Sequence, residues 1–332
     1  MTNKVFESIC KMSQMELKAH VAQELYKTYD NVYMGDGYVY AQGKFPVLLV
    51  AHLDTVHEKS PEPIVYDMTK DSYYSPNGIG GDDRCGVYMI LEIIKKHNCS
   101  VLFCEDEESG CIGAKKFVQT DLVKELKFNY AIELDRRGHN DAVFYDCDNP
   151  EFEDFITKDF YDTAYGSFTD ICTVAPVVGC AAVNLSCGYY SAHTEKEYVV
   201  MSEMEKSIEE TCKILERTTE DDKFEYIEAK HKGYGYGGYY CGSYAGYSNH
   251  SKTSKNYSAY GGYADNGYSG WYDEYDDNDY YYYLIEFYDN NGKSQWFETF
   301  AFSEAEAIGY CLMRNSDITY SQIGDVMRDK AY

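Results

Sequence analysis

Three features of the sequence predict an α/β fold, a mainly parallel sheet flanked by helices. Apolar, β-branched runs alternate along the chain with segments whose apolar residues recur at helical spacing. Several of the runs are apolar at consecutive positions, as in PVLLVA and SVLFC, which marks strands buried on both faces. A strand that returns to its sheet after a helix pairs in parallel, through a right-handed crossover.

The elements follow in order. Ser13 with Glu16 has the form of a capping box and opens a helix to about Lys27. GYVYAQGK, set between turn residues, is a short strand, and PVLLVAHLDTV begins as a buried one. A loop with Pro61, Pro63 and Pro76 leads into RCGVYMILEIIKKH, which spaces its apolar residues as a helix. SVLFCEDEE is a second buried strand, GCIGAKKFVQ a helix, NYAIELD a third strand and AAVNLSCG a fourth. The amphipathic helix MSEMEKSIEETCKILERTT closes a domain spanning residues 1–229.

Residues 230–283 differ in kind. Tyr, Gly, Ser, Asn and Asp dominate and aliphatic residues are almost missing, so burial does not offset the entropy of ordering, and a low-complexity linker is predicted. Residues 284–332 read as a small α+β domain. LIEFYDNNGKSQWFETF alternates on either side of Asn291-Gly292, a hairpin signal. SEAEAIGYCLMRN reads as a helix with Ser303 as N-cap and Glu306 completing a capping box, and ITYSQIGDVM as a last strand or helix. No chemistry is legible in this part.

Composition narrows the function classes. The chain has 332 residues, 44% of them hydrophobic, enough for a large core. Its net charge of -26 repels phosphate backbones and anionic lipid, which argues against nucleic-acid and membrane partners. None of the 12 cysteines forms a CxxC pair, so reduced thiols and a cytoplasmic setting are expected. The first residues carry charges throughout and lack the apolar core of a signal peptide.

The residues with chemistry sit where apolar runs end, and ligands of parallel sheets bind at those carboxyl ends. AHLDTV places His52 and Asp54 two apart on a strand, pointing the same way, so Asp54 can orient the imidazole. GIGGDDRCG offers Asp82 and Asp83 before a helix, one of which can bridge two cations. CEDEESGCIGA packs Glu105, Asp106, Glu107 and Glu108 behind a buried strand, a costly arrangement unless cations compensate. Two adjacent glutamates can divide labour, one binding metal and one moving a proton. Asp135 ends NYAIELD, and His193 follows AAVNLSCG in GYYSAHTEKEY, beside Tyr189 and Tyr190 as possible donors or packing groups. Each motif alone also fits a structural role. Together, two histidines and three or more carboxylates fit a pair of borderline metal ions.

The ordered set AHLDTV, GGDDRCG, EDEESGCIGA, IELD and AHTEKEY resembles the cocatalytic dizinc exopeptidases, the superfamily of peptidase T, carboxypeptidase G and the single-domain zinc aminopeptidases. NLSCGYYSAHTEKEYV is similar to the peptidase T-like branch in particular. The resemblance implies the zinc-exopeptidase fold and two divalent ions, Zn2+, or Co2+ or Mn2+ on the same donor set. It implies His52 and Glu108 on different ions, Asp82 shared between them, with Asp83 an open alternative, and Asp135 completing the shell of one ion and His193 that of the other. It makes Glu107 the general base and Asp54 the group that orients His52.

In one respect the chain departs from those relatives. The stretch from Asp135 to His193 is too short for the lid or dimerisation domain that several of them insert there. The implied activity is exopeptidase cleavage of short peptides, of aminopeptidase or peptidase T-like type. Removal of an acyl group from an N-acyl amino acid would use the same residues. A non-catalytic metal-binding scaffold that assembles through its Tyr/Gly-rich tail would have no need of Glu107.

Overall fold

Every apolar run read as a strand forms one. A computed structural model describes residues 3–166, 168–229, 281–290, 292–301, 307, 308, 311, 315 and 322–330. The helices α1 (Lys4–Lys11) and α2 (Gln14–Leu25) precede the strands β1 (Val32–Gly35), β2 (Tyr38–Ala41) and β3 (Phe45–His52). The short strands β4 (Val65–Asp67) and β5 (Ser72–Tyr74) lead to α3 (Gly81–Ile93), β6 (Cys99–Cys104) and α4 (Ile112–Val118). Then come β7 (Tyr130–Arg136), β8 (Asp141–Val143), α5 (Pro150–Ile156), β9 (Asp162–Ala164), α6 (Asp170–Val178) and β10 (Ala182–Ser186). The hairpin of β11 (Tyr189–Tyr190) and β12 (Tyr198–Val200) precedes α7 (Met201–Arg217).

One eight-stranded sheet runs β1-β2-β6-β3-β7-β10-β8-β9. Its centre is parallel, β6 with β3, β3 with β7 and β7 with β10. The flanks reverse direction, because β1 with β2, β2 with β6 and β10 with β8 are antiparallel. Side-chain alternation in β3 explains its unbroken apolar sequence. Val47, Leu49 and Ala51 pack with Phe6, Ile90 and Ile214 on one face, while Leu48 and Val50 pack with Phe117 and Val174 on the other. Full burial of each large aliphatic side chain contributes about 1.5–3 kcal/mol.

A second, antiparallel sheet, β11-β12-β5-β4, lies against α3. Its function in the architecture is to carry the loop from Ser191 to Glu197, and with it His193, onto the start of α3. Between Asp135 and His193 the chain passes through β8, α5, β9, α6, β10 and β11. These belong to the two sheets and the helices that cover them, so no separate lid domain is inserted.

Nearer the C-terminus, β13 (Tyr281–Tyr288), β14 (Ser294–Ala301) and β15 (Ile323–Lys330) form an antiparallel sheet in the order β14-β13-β15. The hairpin predicted at Asn291-Gly292 joins β13 to β14, with Gly292 at φ 74°. Tyr283, Ile285 and Phe287 pack on Ile308 and Cys311. The segment read as a strand or helix at ITYSQIGDVM contributes the strand β15. The predicted capping box of Ser303 and Glu306, and most of the predicted linker, lie outside the described residues. No helix among the described residues is long and apolar enough to cross a membrane.

Candidate metal centre

Three strand ends, the start of α3 and one hairpin loop deliver the site. His52 is the last residue of β3 and is fully buried. Its Nδ1 lies 3.2 Å from Asp54 Oδ1, and its Nε2 lies 3.0 Å from Asp82 Oδ1 and 3.5 Å from Asp135 Oδ1. His193 approaches from the other side. Its Nε2 lies 3.1 Å from Asp82 Oδ2 and 2.9 Å from Glu108 Oε1. Asp82 thus presents one carboxylate oxygen to each imidazole. His193 holds φ 63°, a left-handed conformation that is strained for a residue with a side chain.

Asp83 is turned elsewhere. Its Oδ2 accepts from His52 N–H at 3.1 Å and its Oδ1 from Gly86 N–H at 2.9 Å. Both oxygens are engaged with the backbone, at the start of α3.

Asp54 connects two parts of the site. Besides facing His52, its Oδ1 accepts from the Glu107 N–H at 3.0 Å and its Oδ2 from the Glu108 N–H at 3.1 Å. The acidic loop after β6 is therefore anchored to the carboxylate beside the first histidine. Burial works against charge on Asp54, yet His52 and the two amides hold its carboxyl below the usual range.

Asp135, at the end of β7, is fixed on both oxygens. Tyr189 O–H donates to Oδ1 at 3.2 Å and Thr169 O–H to Oδ2 at 2.9 Å. Its backbone N–H donates to Asn184 Oδ1 at 2.9 Å. Burial and the nearby Asp82 carboxylate push its pKa up to about 6. Burial pushes Glu107 well above the ordinary glutamate range; His52 opposes the rise, and Glu108 and Asp135 add to it. Cys111 Sγ lies 3.7 Å from Glu107 Oε1. Burial likewise raises Glu108. For His52 and His193, burial opposes the cation but the surrounding carboxylates prevail and raise both.

The donor set fits a pair of divalent ions. Donor atoms of His52, Asp82 and Asp135 lie within 4.8 Å of one another, as do those of Asp82, Glu108 and His193, and the two groups have Asp82 in common. A third group, His52, Glu107 and Glu108, spans the space between. So many buried carboxylates facing one another are stable only with positive charge among them. Mixed imidazole and carboxylate donors are those that zinc, cobalt and manganese accept.

His52, Asp54, Asp82, Glu107, Glu108, Asp135 and His193, the seven residues of the implied site, therefore converge. Sequence reasoning missed Thr169 and Asp170, at the start of α6. Thr169 holds Asp135, and Asp170 is buried under the site, its carboxyl pushed up to about 7 by burial that His52 only partly offsets. Sequence reasoning weighed Tyr189 as an oxyanion donor and favoured packing; in the structure Tyr189 is buried and its O–H donates to Asp135. No apolar run ends at Thr169 or Asp170, so the signal that found the others was lacking.

Residues 38–172 match peptidase family M28, a stretch that carries His52 through Asp135 and stops short of His193. No curated protein matches the chain. Among solved structures, the chain is similar to the aminopeptidase PepT from Bacillus cereus ATCC 10987, at 14% identity and a TM-score of 0.52, over 64% of this chain and 96% of that one. A TET aminopeptidase from the marine sediment archaeon Thaumarchaeota archaeon SCGC AB-539-E09 matches at 13% identity and TM-score 0.51, over 66% of this chain and 98% of that one. A tripeptidase from Staphylococcus aureus subsp. aureus Mu50 matches at 12% identity and TM-score 0.50, over 63% and 95%. At such identities the likeness establishes the fold. The resemblance to the cocatalytic zinc exopeptidases stands on the family match and on that shared fold. Family and fold together support a metal-dependent peptidase of the exopeptidase type.

Proposed function

We propose that the chain is a dizinc exopeptidase, an aminopeptidase or peptidase T-like enzyme acting on short peptides in the cytoplasm. One observation carries the reading: the two oxygens of Asp82 each face a different histidine, flanked by Asp135 on one side and Glu108 on the other. His52, Asp82 and Asp135 would hold one ion, and Asp82, Glu108 and His193 the other. When bound, such a pair would polarise a scissile carbonyl and lower the pKa of a bound water.

The chain's own groups do the rest. Glu107 takes the proton of the attacking water and passes it to the departing amine. A carboxyl group can do both, as base while ionised and as acid once protonated. Asp54 keeps His52 oriented and sets the Glu107 backbone at the same time. Tyr189 and Thr169 keep Asp135 from turning away. Eleven cysteines among the described residues are free thiols, which supports the cytoplasmic assignment.

The test is to give zinc-loaded protein a mixed pool of free and N-acylated dipeptides and to follow each by mass spectrometry, with Glu107→Gln alongside. Wild type should consume the free-amine dipeptides. The variant should bind the same amount of zinc and lose turnover by at least a hundredfold, the low end of what a general base contributes. Retained turnover in Glu107→Gln would refute its role. Consumption of the acylated peptides alone would replace the peptidase by an N-acyl amino acid deacylase.

A further inference from the structure

Four residues beyond His193, Glu197 is a carboxylate with no solvent exposure at all. Its Oε2 accepts from the Gly80 N–H at 2.7 Å and from His57 Nε2–H at 2.8 Å. Its Oε1 accepts from the Asp82 N–H at 3.0 Å. One side chain thus joins three segments of the site: the stretch after β3 that follows His52 and Asp54, the turn that carries Asp82, and the loop that carries His193.

The surroundings are shaped for this contact. A Cβ on Gly81 would lie 2.8 Å from both Tyr189 Cβ and Val199 Cγ2 and 3.4 Å from Glu197 Oε1, so a side chain there would drive the loop off the turn. Gly78 has φ +78°, and a Cβ on it would lie 2.1 Å from the His57 ring. Both glycines leave room for the partners that meet at Glu197.

We infer that Glu197, oriented by His57, is the positioning residue of the metal centre: it fixes the backbone of Asp82 and thereby aims that carboxylate between His52 and His193. The inference rests on the reading of Asp82 as the shared ligand. A carboxylate is required because two backbone N–H groups and an imidazole N–H converge on it, and only Asp and Glu accept on two oxygens. A glutamine would offer one oxygen and turn an NH2 toward a backbone N–H, leaving a buried donor without an acceptor. An aspartate is one methylene too short to span the same donors.

The experiment uses the full chain, freed of metal and titrated with zinc against a chromophoric chelator. Metal-free melting is measured in parallel, so that zinc affinity is read per folded molecule. Glu197→Gln should weaken zinc binding by roughly 10–100-fold, the usual effect of removing a group that orients a ligand. His57→Ala should weaken it as well, and His57→Gln, which keeps a donor, should recover part of the loss. Such rescue is not expected of a merely space-filling ring. Wild-type zinc affinity in folded Glu197→Gln overturns the inference. If that variant does not fold, equal affinity in wild type, His57→Ala and His57→Gln overturns it instead. Wild-type protein that takes up no zinc overturns the metal reading itself, a result distinguishable from wild type that binds and a variant that binds equally well.

Discussion

Asp82 bears the most exacting task among the residues of the site, since each of its two oxygens faces a histidine on a different segment. Burial disfavours its charge, yet His193 and His52 hold its carboxyl far below the usual range. Replacing it by asparagine keeps the size and removes one of the two oxygens. Asp82→Asn is expected to lose at least one of two zinc ions, measured as metal per protein by mass spectrometry; an unchanged ratio would refute the shared-ligand role. The sequence, through its resemblance, favoured Asp82 as the shared ligand and left Asp83 as an alternative. Only the fold shows Asp83 spending both oxygens on backbone N–H groups. His52, Asp135 and the pair Glu107 and Glu108 were legible because each closes or follows an unbroken apolar run. His57 and Glu197 were not, since nothing in a sequence states that positions so far apart meet.

Among the elements, α2 is the one whose start was written most plainly. Ser13 N–H donates to Glu16 Oε2 at 2.9 Å, and Glu16 N–H donates to Ser13 Oγ at 3.3 Å. The first contact, with the Ser13 hydroxyl's own bond, holds the exposed Glu16 carboxyl below its ordinary value. A carboxyl depressed in the folded state adds stability above its unfolded pKa and loses it as pH falls through the folded one. The melting temperature of Glu16→Gln should therefore fall short of wild type near neutrality, and the gap should close on acidification. A gap that stays constant with pH would show that the charge has no part in the cap.

Other elements gave weaker signals. Strands β8 and β9 are three residues long, too short to show alternation. Helix α6, DICTVAPVV, is β-branched and contains Pro176, so locally it reads more like a strand. Its helical form comes from packing on β3, β7 and β10.

In the molecule as a whole, both sheets that build the site lie within residues 3–229. Asp148 N–H donates to Ile227 O at 2.7 Å, and Ala229 N–H to Asp146 O at 2.9 Å, so the chain is tied to the main body up to that residue. A protein ending at Ala229 is expected to keep wild-type turnover on dipeptides. Loss of turnover in a truncated protein that folds and binds zinc would assign the C-terminal segment a part in the reaction. The mainly parallel character was legible from the doubly buried strands. The antiparallel flanks were not, because strand direction at a sheet edge depends on connections rather than on local pattern.

The parallel order β6-β3-β7-β10 also governs when this centre comes into being. Parallel neighbours are far apart in sequence, and contacts of that kind are made only after large loops have closed. The candidate ligands run from His52 to His193, and no short fragment of the chain contains both halves of the site. A ribosome delivers His52 early and His193 more than a hundred residues later. The nascent chain thus carries its acids and its first imidazole as a sparse, unassembled set, and on the proposed function metal capture would belong to the closing stage of folding.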